Sequence, residues 1–152
     1  AAAADYAREK YGLTPLILSI NQRQDEQVAQ RLQAMVQGDV PLVTETMTSG
    51  EMIGMFSRMQ AVMAMRLHAL IFAASSAVPL IGVSYDPKVA SFLQFIESEN
   101  YLEYDAMQDV SQVTAVIDAA MRTDRATLQQ QVAQLRTRAA ISRETAERML
   151  AL

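Results

Sequence analysis

No cysteine occurs among the 152 residues, so neither a disulfide framework nor a thiolate zinc site can form. There is one histidine, His68, which rules out a multi-histidine metal site. The net charge is -4, so the chain lacks the basic excess of a usual nucleic-acid-binding face. No apolar run reaches the roughly 20 residues that a membrane-spanning helix needs. The longest candidate, residues 67–83, is interrupted by His68, two serines and Pro79, and divides more naturally into a helix and a strand. Nucleotide-binding glycine loops are also missing: neither G-x-G-x-x-G after the first strand nor G-x-x-x-x-G-K-S/T occurs. There is no internal repeat and no Gly/Ser-rich linker.

Hydrophobic residues make up 51% and charged residues 20%, enough apolar content to build a core rather than a disordered chain. The length suits one ordinary domain. The chain opens on Ala1–Ala4 rather than Met, as a piece of a longer protein or a processed start would. Short apolar runs then alternate with amphipathic helical stretches. Residues 2–11 read as a helix closed by Gly12, and 15–20 as a strand buried on both faces. Residues 22–37 read as a helix with Val28, Leu32, Met35 and Val36 on one side, stopped by Gly38. A second strand covers 40–45. Thr48 and Glu51 form a capping-box pattern, with Met47 and Met52 spaced as a hydrophobic staple, opening a helix that buries Ile53, Phe56 and Met59.

Strands at 61–65 and 78–83 flank a small-residue helix at 67–76. Asp86 caps the next helix, with Pro87 at its first position. A short fifth strand covers 101–103 and a helix 111–121. Asp124 caps a long charged helix, 125–152, whose narrow apolar stripe is Leu128, Val132 and Leu135. Repeated strand–helix alternation predicts an α/β fold, a Rossmann-like doubly wound parallel sheet of about five strands. Residues 1–122 make the domain proper, and 123–152 a helix that packs on it or crosses to another domain.

Ligands in open parallel sheets bind beyond the carboxyl ends of the strands. Arg66 and His68 leave the third strand at a helix start, and Lys88 lies in the first turn of the helix after the fourth. Helix N-termini favour anions, so this grouping of cations points to a phosphate or carboxylate. Each residue also has a plainer reading: His68 as a satisfied structural histidine, Arg66 as an ion-pair partner, Lys88 as a solvated lysine. Glu51 is accounted for by its cap, and the ten methionines by core filling.

The segment Met65-Arg66-Leu67-His68-Ala69-Leu70-Ile71-Phe72-Ala73-Ala74, preceded by 51–59 and followed by 79–89 with its Ser84-Tyr85-Asp86-Pro87-Lys88-Val89, resembles the bacterial polysaccharide pyruvyltransferases. The similarity runs from about Tyr11 to Leu102 and is greatest to the branch acting on secondary cell wall polymers that anchor S-layers. It implies the C-terminal half of a GT-B-like two-domain enzyme, whose missing N-terminal domain supplies the other wall of the cleft. It also implies cofactor-free, metal-free transfer of the enolpyruvyl unit of phosphoenolpyruvate. The acceptor would be a lipid-linked amino sugar, with a 4,6-ketal formed on N-acetylmannosamine at the cytoplasmic face of the membrane. On this resemblance His68 is the general acid/base, and Arg66 and Lys88 hold the donor. Two other readings of the same residues are the nucleotide-sugar half of a GT-B glycosyltransferase or epimerase, and a non-catalytic flavodoxin-like domain in which Arg66 and His68 are structural.

Overall fold

A computed structural model describes residues 1–150, the side chains at 22, 23, 138 and 142–146 excepted. In chain order the elements are α1 (Ala2–Tyr11), β1 (Ile17–Leu18), α2 (Gln22–Met35), β2 (Leu42–Val43), α3 (Ser49–Phe56), β3 (Val62–Ala64) and α4 (Leu67–Ser75). They continue with β4 (Leu80–Ser84), α5 (Pro87–Phe95), β5 (Tyr101–Glu103), a 3-10 turn at Tyr104–Gln108, α6 (Val110–Arg122) and α7 (Arg125–Leu150). The expected end of the last helix at Leu152 lies outside the described residues. Local chemistry explains several boundaries. Gly12 adopts φ 65° and its N–H donates to the Arg8 carbonyl, so the left-handed residue closes α1. The Thr48 hydroxyl accepts from the Glu51 N–H while the Glu51 carboxylate accepts from the Thr48 N–H, the reciprocal box expected there.

All strand pairs are parallel, but the expected single sheet is divided. β1 pairs with β2, and β3, β4 and β5 form a separate three-stranded sheet with β4 in the centre. Among the described residues no ladder joins β1 to β3. β1 therefore has neighbours on one side only and shortens to the residues that β2 can pair.

β4 shows why the larger sheet needs helices on both faces. Its five residues are all buried, and they alternate between two cores. Leu80 enters a cluster with Met52, Phe56, Leu70, Val89 and Leu93 from α3, α4 and α5. Ile81 enters another with Leu102 and with Val113, Ile117 and Ala120 from α6, against which Ala3, Tyr6 and Tyr11 of α1 pack. Gly82 faces the first core: a Cβ there would lie 2.4 Å from Leu93 Cδ1, so α5 sits close on the strand. This is the doubly wound layering expected from the alternation.

Two helical faces differ from expectation. α2 buries Ala29 and, just past its end, Val36, while Val28 and Met35 are 64% and 68% exposed. A two-stranded sheet offers only a narrow strip, and the small Ala29 fits it. Ile53 is exposed at 39%, because α3 turns Met52 and Phe56 inward instead. Along α7, Leu128, Val132 and Leu135 form a half-buried stripe. Arg136 Nη2 donates to the Ser75 carbonyl at 3.3 Å, and Arg125 donates to the Met59 carbonyl, fixing the first part of α7 beside α4. No helix among the described residues is long and apolar enough to cross a membrane.

Candidate functional site

Parallel pairing puts the loops after β3 and β4 side by side, since Ala64 is in register with Gly82. Arg66 is the N-cap of α4, with φ -83° and ψ 122°, and its side chain is free of capping duty. His68 occupies the second helical position and is exposed. Lys88 occupies the second position of α5, after the Asp86 cap and Pro87. The three expected residues thus lie on neighbouring loops at the carboxyl edge of one sheet. No hydrogen bond or ion pair joins any of them to another.

Each cation has a nearer partner. Arg66 Nη2 donates to Asp25 Oδ1 at 2.5 Å and Arg66 Nε to Asp25 Oδ2 at 3.1 Å, a two-point fork on one carboxylate. The same Nη2 reaches Gln24 Oε1 at 3.3 Å. The Asp25 carboxylate, ahead of every other cause, raises the guanidinium's pKa above its ordinary value, and Tyr85 adds to the shift. Arg66 therefore ties the start of α4 to the first turn of α2. Lys88 Nζ lies 3.1 Å from Asp86 Oδ2, and its backbone N–H donates to Asp86 Oδ1 at 2.9 Å. Those contacts, the backbone N–H first, lower the Asp86 carboxyl below its usual range. Lys88 is 60% exposed on its side chain. His68 makes no hydrogen bond with the described residues.

Asp25, in the first turn of α2, had no site role in the sequence reading. The signal was weaker than at Arg66, which follows β3 by two residues, because Asp25 lies within the helix after β1, seven residues past Leu18. Reasoning from the sequence also missed an open cleft of about 420 Å³ beyond β1 and β2. Its polar lining comes from Ser19, Asn21, Glu45 and Thr46, and its apolar lining from Ile20, Met47 and Met52. Ser19 is 2% exposed, and its hydroxyl has no hydrogen-bond partner among the described residues.

An open parallel α/β domain with helices packed on both faces of its larger sheet is of the doubly wound class. A family model for polysaccharide pyruvyl transferase matches residues 3–87, more than half of the chain. The chain belongs to the polysaccharide pyruvyl transferase family, a family of transferases. The match includes Arg66, His68 and Asp25, and stops one residue before Lys88. Neither the curated proteins nor the solved structures give a match.

Proposed function

We propose that this domain is the C-terminal half of a GT-B-like enzyme that moves the enolpyruvyl unit of phosphoenolpyruvate onto two hydroxyls of one sugar. The observation that carries the reading is the family match across the segment holding Arg66 and His68. The product is a cyclic ketal. One hydroxyl proton ends on the donor's methylene carbon, making a methyl group. Both hydroxyl oxygens bond to the adjacent carbon, its bond to the phosphate oxygen breaks, and the second proton leaves with inorganic phosphate. The acceptor is a lipid-linked N-acetylmannosamine of a secondary cell wall polymer, ketalised at its 4- and 6-hydroxyls at the cytoplasmic face of the membrane.

His68 is the general acid/base, taking a proton from a sugar hydroxyl or giving one to the methylene carbon, and its exposed position leaves the imidazole open to a substrate. Arg66 holds a donor phosphate or carboxylate. Its fork already grips one carboxylate, that of Asp25, in the geometry such a group requires. Lys88 adds a mobile charge beside it. The missing N-terminal domain closes the other wall, and the chain alone is expected to be inactive.

With the N-terminal half supplied, phosphate release from phosphoenolpyruvate and acceptor is the assay. His68→Gln is expected to lower kcat by about 10²–10⁴-fold, the usual range for loss of a general acid/base. Full activity in that variant removes the assignment. A thermal shift with nucleotide sugars but none with phosphoenolpyruvate points instead to the glycosyltransferase or epimerase reading.

A further inference from the structure

The Arg66 guanidinium is held by a neighbouring element. Its Nε and Nη2 donate to the two oxygens of Asp25 at 3.1 and 2.5 Å, and Nη2 also reaches Gln24 Oε1 at 3.3 Å. Both acceptors stand in the first turn of α2, and both are tied to Asn21. The Asn21 carbonyl accepts from the Gln24 and Asp25 N–H groups at 3.0 and 2.8 Å. The Asn21 N–H donates to Asp25 Oδ2 at 3.4 Å, and its side-chain Nδ2 to Gln24 Oε1 at 3.1 Å.

The direction of these bonds follows from the groups involved. A guanidinium can only donate, so Gln24 turns its oxygen to Arg66, and the NH2 of Asn21 donates to that same oxygen. Asparagine at a helix N-cap commonly accepts from the free N–H groups of its helix, whereas this side chain donates to Gln24. A fork on Asp25 alone would let the carboxylate turn about its own side-chain bonds and carry the guanidinium with it. Bonds from Asn21 to both acceptors oppose that turn. We propose that Asn21 is a positioning residue for Arg66, fixing the direction of its guanidinium through Gln24 and Asp25. That Arg66 then meets phosphoenolpyruvate rests on the reaction proposed above, whereas the positioning does not.

The test follows the Arg66 Nε–H signal in nitrogen–proton correlation spectra of the full chain, identified by its loss in Arg66→Lys. Gln24→Ala and Asn21→Ser should each move the signal and speed its exchange with water about fivefold, the weight of one ordinary hydrogen bond. Gln24 is exposed and serine is a good N-cap, so both variants keep the fold. Gln24→Glu, whose carboxylate can accept from both neighbours, should retain the parent's slow exchange. The inference is overturned if the signal is unchanged in both Gln24→Ala and Asn21→Ser, or if Gln24→Glu exchanges as fast as Gln24→Ala. In the assembled enzyme, Gln24→Ala and Asn21→Ser should raise the KM for phosphoenolpyruvate by a similar factor. An altered signal with an unchanged KM upholds the positioning and sinks only the donor role of Arg66. An altered KM with an unchanged signal sinks the positioning.

Discussion

At the scale of single residues, the Arg66–Asp25 contact makes a prediction that separates its structural from its donor-binding role. Both side chains are partly exposed, at 38% and 27%, so the pair stabilises the fold by about 0.2–1 kcal/mol at most. Asp25→Asn is expected to move the denaturation midpoint little. In the assembled enzyme it should change the KM for phosphoenolpyruvate severalfold, because the same fork must release or share its carboxylate when the donor arrives. An unchanged KM would show that Arg66 serves only to tie α4 to α2. Ser19 predicts an unusual sign. Its buried hydroxyl finds no compensating partner among the described residues, a loss that Ser19→Ala relieves. The variant's melting temperature should equal or exceed that of the parent in thermal denaturation, and a marked fall would mean the hydroxyl is bonded after all.

The elements show what could be read in advance. Capping signals were legible because each acts within one helical turn: Thr48 with Glu51, Asp86 before Pro87, and Gly12 after Tyr11 all end or begin helices where expected. The alternation of strands and helices was legible for the same reason, periodicity being local, but the burial on both faces expected of 15–20 belongs to β4, while Ile17 and Leu18 are half-buried. The division of the sheet was not, since pairing of β1 with β3 depends on positions 40 or more residues apart in sequence. Nor was the turn of α2 that buries Ala29 rather than Val28 and Met35, because a small residue's fit is decided by the surface it meets. At the site, the strand-end rule found Arg66 and His68 but could not show that Asp25 comes to meet the guanidinium. Two substitutions test the elements. Thr48→Ala should cost about 1 kcal/mol in denaturant unfolding through loss of the α3 cap. Gly82→Ala should cost about 1–3 kcal/mol, because Leu93, only 1% exposed, has little room to retreat from a new methyl group.

For the whole molecule, the contact of the first helix with the sixth is governed by one carboxylate. Asp118 accepts from the Tyr6 hydroxyl at 2.8 Å, the Tyr11 hydroxyl at 2.7 Å and Lys10 Nζ at 2.7 Å. Lys10, then the two tyrosines, hold its pKa down to about 2 from an ordinary 3.8. A depressed carboxyl stabilises the folded state above its unfolded value, and that contribution fades as pH drops from about 4 towards 2. Lys10 is shifted upward by Asp118 and then Tyr6, so its share is present below its ordinary 10.5 and is lost only at more alkaline pH. Melting temperatures measured between pH 5 and pH 2 should fall more steeply for the parent than for Asp118→Asn, and parallel curves would exclude this network as the cause.

The divided sheet also bears on how the protein opens. Joined among the described residues by no ladder, but by packing of Leu18 and Ile20 on the first core and by the Arg66–Asp25 fork, the two ladders need not melt together. Amides of the two-stranded ladder should exchange with deuterium sooner than those of β4, whose backbone bonds run to strands on both sides. The breathing half is also the half that carries the open cleft, so anything bound there would register first as slowed exchange in a segment otherwise the readiest to loosen.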